Sequence, residues 1–97
     1  MKLVIVPLAL AELHDAAAFY SARASVELGR AFVAEFERSA SLVLENPKLG
    51  PIYGGTQRRC LFRRFPYSII YQTTADELRI IAVAHQRRRP GFWSSRK

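Results

Sequence analysis

The chain has little that would tie it to redox or metal chemistry. Its 97 residues include one cysteine, Cys60, and two histidines, His14 and His85. A single cysteine excludes an intrachain disulfide and any cysteine-based metal cluster, and it fits a reducing compartment. No metal and no cofactor is expected. Long apolar runs are also missing: nothing approaches the ~18 residues that a membrane-spanning helix requires. Lys2 followed by Leu3–Ala11 has the outline of a secretory leader, but the run is short, Pro7 interrupts it and Glu12 follows at once. A strand that stops at a proline explains it better. The expectation is a cytoplasmic protein with no membrane partner. A nucleotide-binding loop is absent as well. Gly54-Gly55 lacks the glycine spacing and the following Lys-Ser/Thr that cradle phosphates.

Acidic residues are scarce in one part of the chain. Residues 1–57 hold five basic and six acidic side chains, whereas residues 58–97 hold ten basic and only two acidic, Asp76 and Glu77. The whole net charge of +7 therefore lies in the C-terminal part. One-sided charge of this kind points to a polyanionic or acidic partner. A solvated basic face that only aids solubility is the plainer alternative. Apolar residues at 49% and charged residues at 24% are globular values. The length suits one domain, residues 1–97, with a core of modest size.

In chain order, Lys2–Val6 is apolar on both parities and reads as a buried strand ended by Pro7. Leu8–Ala22 reads as an alanine-rich helix with Leu10, Leu13, Ala17 and Tyr20 on one face. Glu12 and Asp15 lie early in it, where they suit the helix dipole. Ser25–Glu45 reads as a second helix, with Ser25 as N-cap and Asn46-Pro47 as the stop. Gly29 would let the two helices approach closely. Lys48–Thr56 is a loop. Gln57–Phe65, Tyr67–Thr73 and Leu78–His85 read as strands, the last two joined by a polar turn at 74–77. Short connections make these neighbours antiparallel. The order is β-α-α-β-β-β, an α+β fold with a helical hairpin packed on a curled antiparallel sheet. Both parities of the last two strands carry apolar residues, so either the sheet curls or a partner covers its second face. Cys60 reads as an inert buried thiol, and Tyr67 and Tyr71 as packing residues.

The element order, the run Arg63–Gln72 (RRFPYSIIYQ) and the run Leu78–Trp93 (LRIIAVAHQRRRPGFW) resemble the RelE/ParE superfamily of bacterial type II toxins. The resemblance implies the toxin of a toxin–antitoxin pair, held inactive as a hetero-oligomer with its antitoxin. RelE-like members cleave messenger RNA on the ribosome without a metal; ParE-like members poison DNA gyrase. The RelE-like catalytic positions align here with Arg59, Leu61, Ser68, Gln86 and Phe92. Only Arg59 keeps a charge, and Phe92 has no proton to give. His85-Gln86-Arg87 is similar to the His-x-Arg element of ParE-like members.

The resemblance therefore implies a ParE-like inhibitor that acts by binding, through His85, Arg87, Arg88, Arg89 and Trp93. Arg87–Arg89 could instead be a solvated tail, and Trp93 with Phe92 could pack back on the sheet. Two further functions stay open. One is a ribonuclease with His85 as base and Arg59, Arg63 and Arg64 as cations. The other is a relative that only binds its antitoxin.

Overall fold

The computed structural model describes residues 1–89 and 91–96; Pro90 of the basic tail and Lys97 lie outside the described residues. The elements are β1 (Lys2–Ile5), α1 (Pro7–Arg23), α2 (Val26–Glu45), β2 (Arg58–Leu61), β3 (Tyr67–Thr73) and β4 (Glu77–His85). Their order and class are those expected. Pro7 both ends β1 and occupies the first turn of α1, where its missing N–H costs nothing. The Ser25 hydroxyl caps α2 by accepting the Leu28 N–H at 3.1 Å. Asn46 closes the helix ahead of Pro47. Gly29 is needed at the helix crossing, since a Cβ there would lie 1.9 Å from Ser21 Oγ and 2.8 Å from the Ala17 carbonyl.

The four strands form one sheet in the order β1-β4-β3-β2. β2, β3 and β4 are successive antiparallel neighbours, as short connections require. β1 departs from the expected all-antiparallel sheet: it runs parallel to β4, with Lys2 opposite Glu77 and Ile5 opposite Ile80. No hairpin constrains it, because the rest of the fold separates it from its partner. It also lies at the sheet edge, not in the interior, which leaves Leu3 exposed.

Apolar residues on both parities of β4 have a specific cause. Ile70 pairs with Ala82 and Tyr71 with Ile80, so Ile81 is an extra residue opposite nothing. This bulge shifts the helix-facing set from Leu78 and Ile80 before it to Val83 and His85 after it. Against that face pack Phe32 and Phe36 of α2, Leu13 and Ala16 of α1, and Phe62 and Phe65 of the β2–β3 connection. Tyr20, Phe32, Phe65 and Tyr67 form one edge-and-stack cluster with centroids 4.9 to 6.4 Å apart. At the far end of β3, the buried Tyr71 hydroxyl donates to Pro47 O at 2.8 Å and accepts the Gly50 N–H at 3.0 Å, tying the loop after α2 to the sheet.

The bulge leaves a second consequence at the edge. β1 covers β4 only as far as Ile80, so the outward polar groups beyond it lack a strand partner. Glu12 and Arg96 satisfy two of them. The Glu12 carboxylate accepts the Val83 N–H at 3.1 Å, and the Arg96 guanidinium donates to Ile81 O at 3.0 Å. The two side chains also pair with each other at 2.8 and 3.1 Å. Glu12 is thus an edge cap; no acidic residue lies in the first turn of α1 to serve the helix dipole.

One polar atom in the core stands apart. Ser39 Oγ is fully buried on α2 without a hydrogen-bond partner. Ser39→Ala removes an unsatisfied group and improves helix propensity. It should raise stability by about 1 kcal/mol, or roughly 4–8 °C in Tm. A thermal melt checks this; a lower Tm would mean that the hydroxyl has a partner.

Candidate functional site

The basic residues of the C-terminal part divide by the sheet face on which they sit. Cross-strand pairing puts Arg59 beside Ile70, Leu61 beside Ser68, and Ser68 beside Ala84, all on the face away from the helices. His85 pairs with Tyr67 on the helix side, and its ring packs edge-on to Tyr67 at 5.1 Å. Its Nδ1 accepts the Arg87 N–H at 3.1 Å. With Nδ1 engaged as an acceptor, the proton of a neutral ring sits on Nε2. By register His85 and Arg59 sit on opposite faces of the sheet, yet both border the small pocket beneath Tyr53 and Trp93.

The face away from the helices is not open. Tyr53 and Trp93 lie over Ser68, Ile70 and Ala84, with Arg59, Gln86 and Arg88 at the rim. The Tyr53 and Trp93 rings stack at 5.4 Å and 24°, and Phe92 meets Trp93 edge-on at 5.0 Å. Arg59 lies over Tyr53 at 4.0 Å, and Arg88 over Phe92 at 3.8 Å. Five side chains thus alternate as cation, three rings and cation across the sheet. Arg96 adds a further contact to Phe92 at 5.0 Å. Trp93 is 3% exposed and packs against the sheet. Tyr53 and the tail cover the Ile70 side of the second face, and Leu61 at its β2 edge stays exposed.

Gly54 and Gly55 make this cover possible. Both have positive φ, 88° and 58°, in the turn that bonds Tyr53 N–H to Gln57 O at 2.8 Å. The turn and the tail together border a cleft of about 510 Å³, which includes Tyr53, Gln57, Gly91 and Trp93.

The remaining arginines converge at one end of the sheet. Arg63 and Arg64 are exposed in the β2–β3 connection, and Arg87, Arg88 and Arg89 are exposed just after β4. The two segments touch where Gln86 N–H donates to Pro66 O at 2.9 Å. Glu35 holds the first of them in place. Its carboxylate takes a two-point bond from Arg38, at 3.0 and 2.9 Å, and also accepts the Arg63 N–H. The Arg38 bond, aided by the backbone donors and opposed by burial, holds the Glu35 carboxyl down at about 2 against an ordinary 4.5. Burial pushes the Cys60 thiol up, which leaves it protonated and unreactive, and burial likewise raises Tyr67 and Tyr71. Among the described residues, no group of three or more His, Cys, Asp or Glu is placed to hold a metal ion. None of their helices is long and apolar enough to cross a membrane.

Convergence of Arg63 and Arg64 with Arg87–Arg89 was not legible from spacing, because strand register and the bulge bring the two segments together. The cover over the second face depends on Tyr53, in a segment that reads only as loop.

Two outcomes follow for variants. Trp93→Ala should cost about 3 kcal/mol or more, whereas Arg87→Glu with Arg89→Glu should leave the melt within about 0.5 kcal/mol; urea titration separates them. Equal losses would contradict the difference in burial. Glu35 contributes stability that is full above pH 4.5 and is lost as pH falls toward 2. Glu35→Gln should therefore lower stability at neutral pH and flatten the acid limb between those values, as acid titration of the folded fraction would register.

A family model described as the ParE toxin of the type II toxin–antitoxin system, parDE, matches residues 3–90. No curated protein matches. Among solved structures, the chain is similar to one described as the chromosomal ParDE toxin–antitoxin system from P. aeruginosa. That match has 18% identity and a TM-score of 0.78, and it covers 88% of this chain and 95% of the other. At that identity the likeness concerns the fold. The family match spans nearly the whole chain, and on it the chain belongs to the ParE toxin family of type II toxin–antitoxin systems.

Proposed function

We propose that the chain is a toxin that acts by binding, neutralised by a cognate antitoxin, with DNA gyrase engaged on DNA as its target. The observation that carries this reading is the filled sheet face. A ribonuclease of the related RelE-like type would need cations and an acid exposed where Tyr53 and Trp93 lie. Of the aligned positions only Arg59 keeps a charge, and it lies over Tyr53; Leu61, Ser68 and Gln86 cannot neutralise phosphate charge, and Phe92 has no proton to give. The alternative ribonuclease, with His85 as base, is weakened by the same geometry. His85 packs on Tyr67 and Arg59 stacks on Tyr53, so both are engaged with rings although they border one small pocket.

The target contacts in this reading are Arg87 and Arg89, with His85 orienting the turn that carries them through its bond to Arg87 N–H. Arg88 stands beside them, its guanidinium held over Phe92. Antitoxin binding draws support from the family and from exposed apolar side chains that an apolar, acidic segment could cover on folding, including Phe19, Val26, Ile52 and Leu61.

Induction of the chain alone tests the reading. Growth should stop with gyrase-linked DNA breaks and unchanged mRNA 5′ ends, and co-expression of the cognate antitoxin should restore growth. New mRNA ends that vanish in His85→Ala would replace this reading with the ribonuclease. Normal growth with folded protein would leave only antitoxin binding.

A further inference from the structure

We infer that the end of the sheet bearing Arg63, Arg64, Arg87, Arg88 and Arg89 binds the phosphate backbone of duplex DNA without sequence preference. The inference rests on the reading above for its setting, a gyrase–DNA complex. Its chemistry rests on the arginines alone.

The five side chains come from two segments more than twenty residues apart in the chain, joined by the Gln86–Pro66 backbone bond and the pairing of Tyr67 with His85. All five are exposed, and none makes an ion pair among the described residues. The other C-terminal arginines are occupied: Arg79 pairs with Glu77 and Arg96 with Glu12, while Arg58 donates to Gly50 O. Two of the five are oriented in advance, Arg64 over Phe65 at 5.6 Å and Arg88 over Phe92 at 3.8 Å. Orientation of this kind lowers the side-chain entropy lost on binding.

The nature of the surface favours nucleic acid over an acidic protein. A protein interface centres on open apolar area with charge at its rim. Here the order is reversed: Phe65 is buried beneath its arginine, and the charges face out. The exposed Leu49 and Leu61 line a separate groove on the outer edge of β2. A phosphate backbone asks only for several cations held at one surface, and it carries no sequence information. On the helix side the surface is bounded by the cleft beside His85 and Arg88, whose α1 wall carries Asp15, Glu12 (paired with Arg96) and the half-exposed ring of Phe19.

The test is binding of the full chain to short duplexes of two unrelated sequences, without gyrase, at several salt concentrations. Both duplexes should bind equally, with a log–log salt slope of roughly −4.5 if all five arginines engage. Arg63→Glu with Arg64→Glu, or Arg87→Glu with Arg89→Glu, should each weaken both by about tenfold or more at unchanged Tm. Lys2→Glu with Lys48→Glu, an equal charge change at the opposite end, should weaken them less than about threefold. Absence of duplex binding at low salt overturns the inference, as does equal weakening by the control. So does loss of binding to gyrase protein alone in the arginine variants with duplex binding intact, which would make the surface a protein contact. Duplex binding without gyrase-linked breaks in cells would strike down the gyrase reading and leave this one standing.

Discussion

A four-stranded sheet with apolar side chains on both faces must have both faces covered, and most of this structure follows from how that is done. The helices cover one face with Phe32, Phe36, Leu13 and Ala16. The other is covered by two rings, Tyr53 from the turn before β2 and Trp93 from the tail after β4, stacked at 5.4 Å. Their burial removes from water the Ile70 side that would otherwise be an open apolar patch. Cations at both ends of the stack, Arg59 and Arg88, extend it to the sheet rim. The tail is therefore part of the packed molecule, and its arginines leave from a fixed point.

The same cover is what supports the proposed binding function. A cutting site needs a reachable face with several unengaged polar groups on it. This face has an arginine on a tyrosine ring, a buried serine and a glutamine. The free positive charge has moved to the sheet end, where Glu35 fixes the Arg63 backbone and His85 fixes the Arg87 backbone. Two buried or half-buried polar side chains thus set the position of exposed ones.

Much of this was legible in the residues. The caps at Ser25 and Asn46, the close approach at Gly29 and the order of six elements each have a local cause that spacing reveals. The sheet's details did not. Alternation in β4 breaks because Ile81 is an extra residue, and one inserted residue looks in sequence like apolar residues on both faces. Parallel pairing of β1 depends on a contact between the two ends of the chain, for which no local signal exists. Glu12 reads as a helix-dipole charge because its real partners, Val83 N–H and Arg96, are also far along the chain. At the site, the family-like run marked the arginines after β4, and the register then joined Arg63 and Arg64 to them. Trp93 reads in sequence both as a contact and as a residue packing back on the sheet, and its stack on Tyr53 matches the second of these.

Trp93 is the only tryptophan of the chain, so its fluorescence reports on the docked tail without interference. The account expects blue-shifted emission that iodide barely quenches, with a shift to the red and ready quenching in Tyr53→Ala. Red-shifted, freely quenched emission from the folded wild-type chain would contradict it, since the second sheet face would then be open.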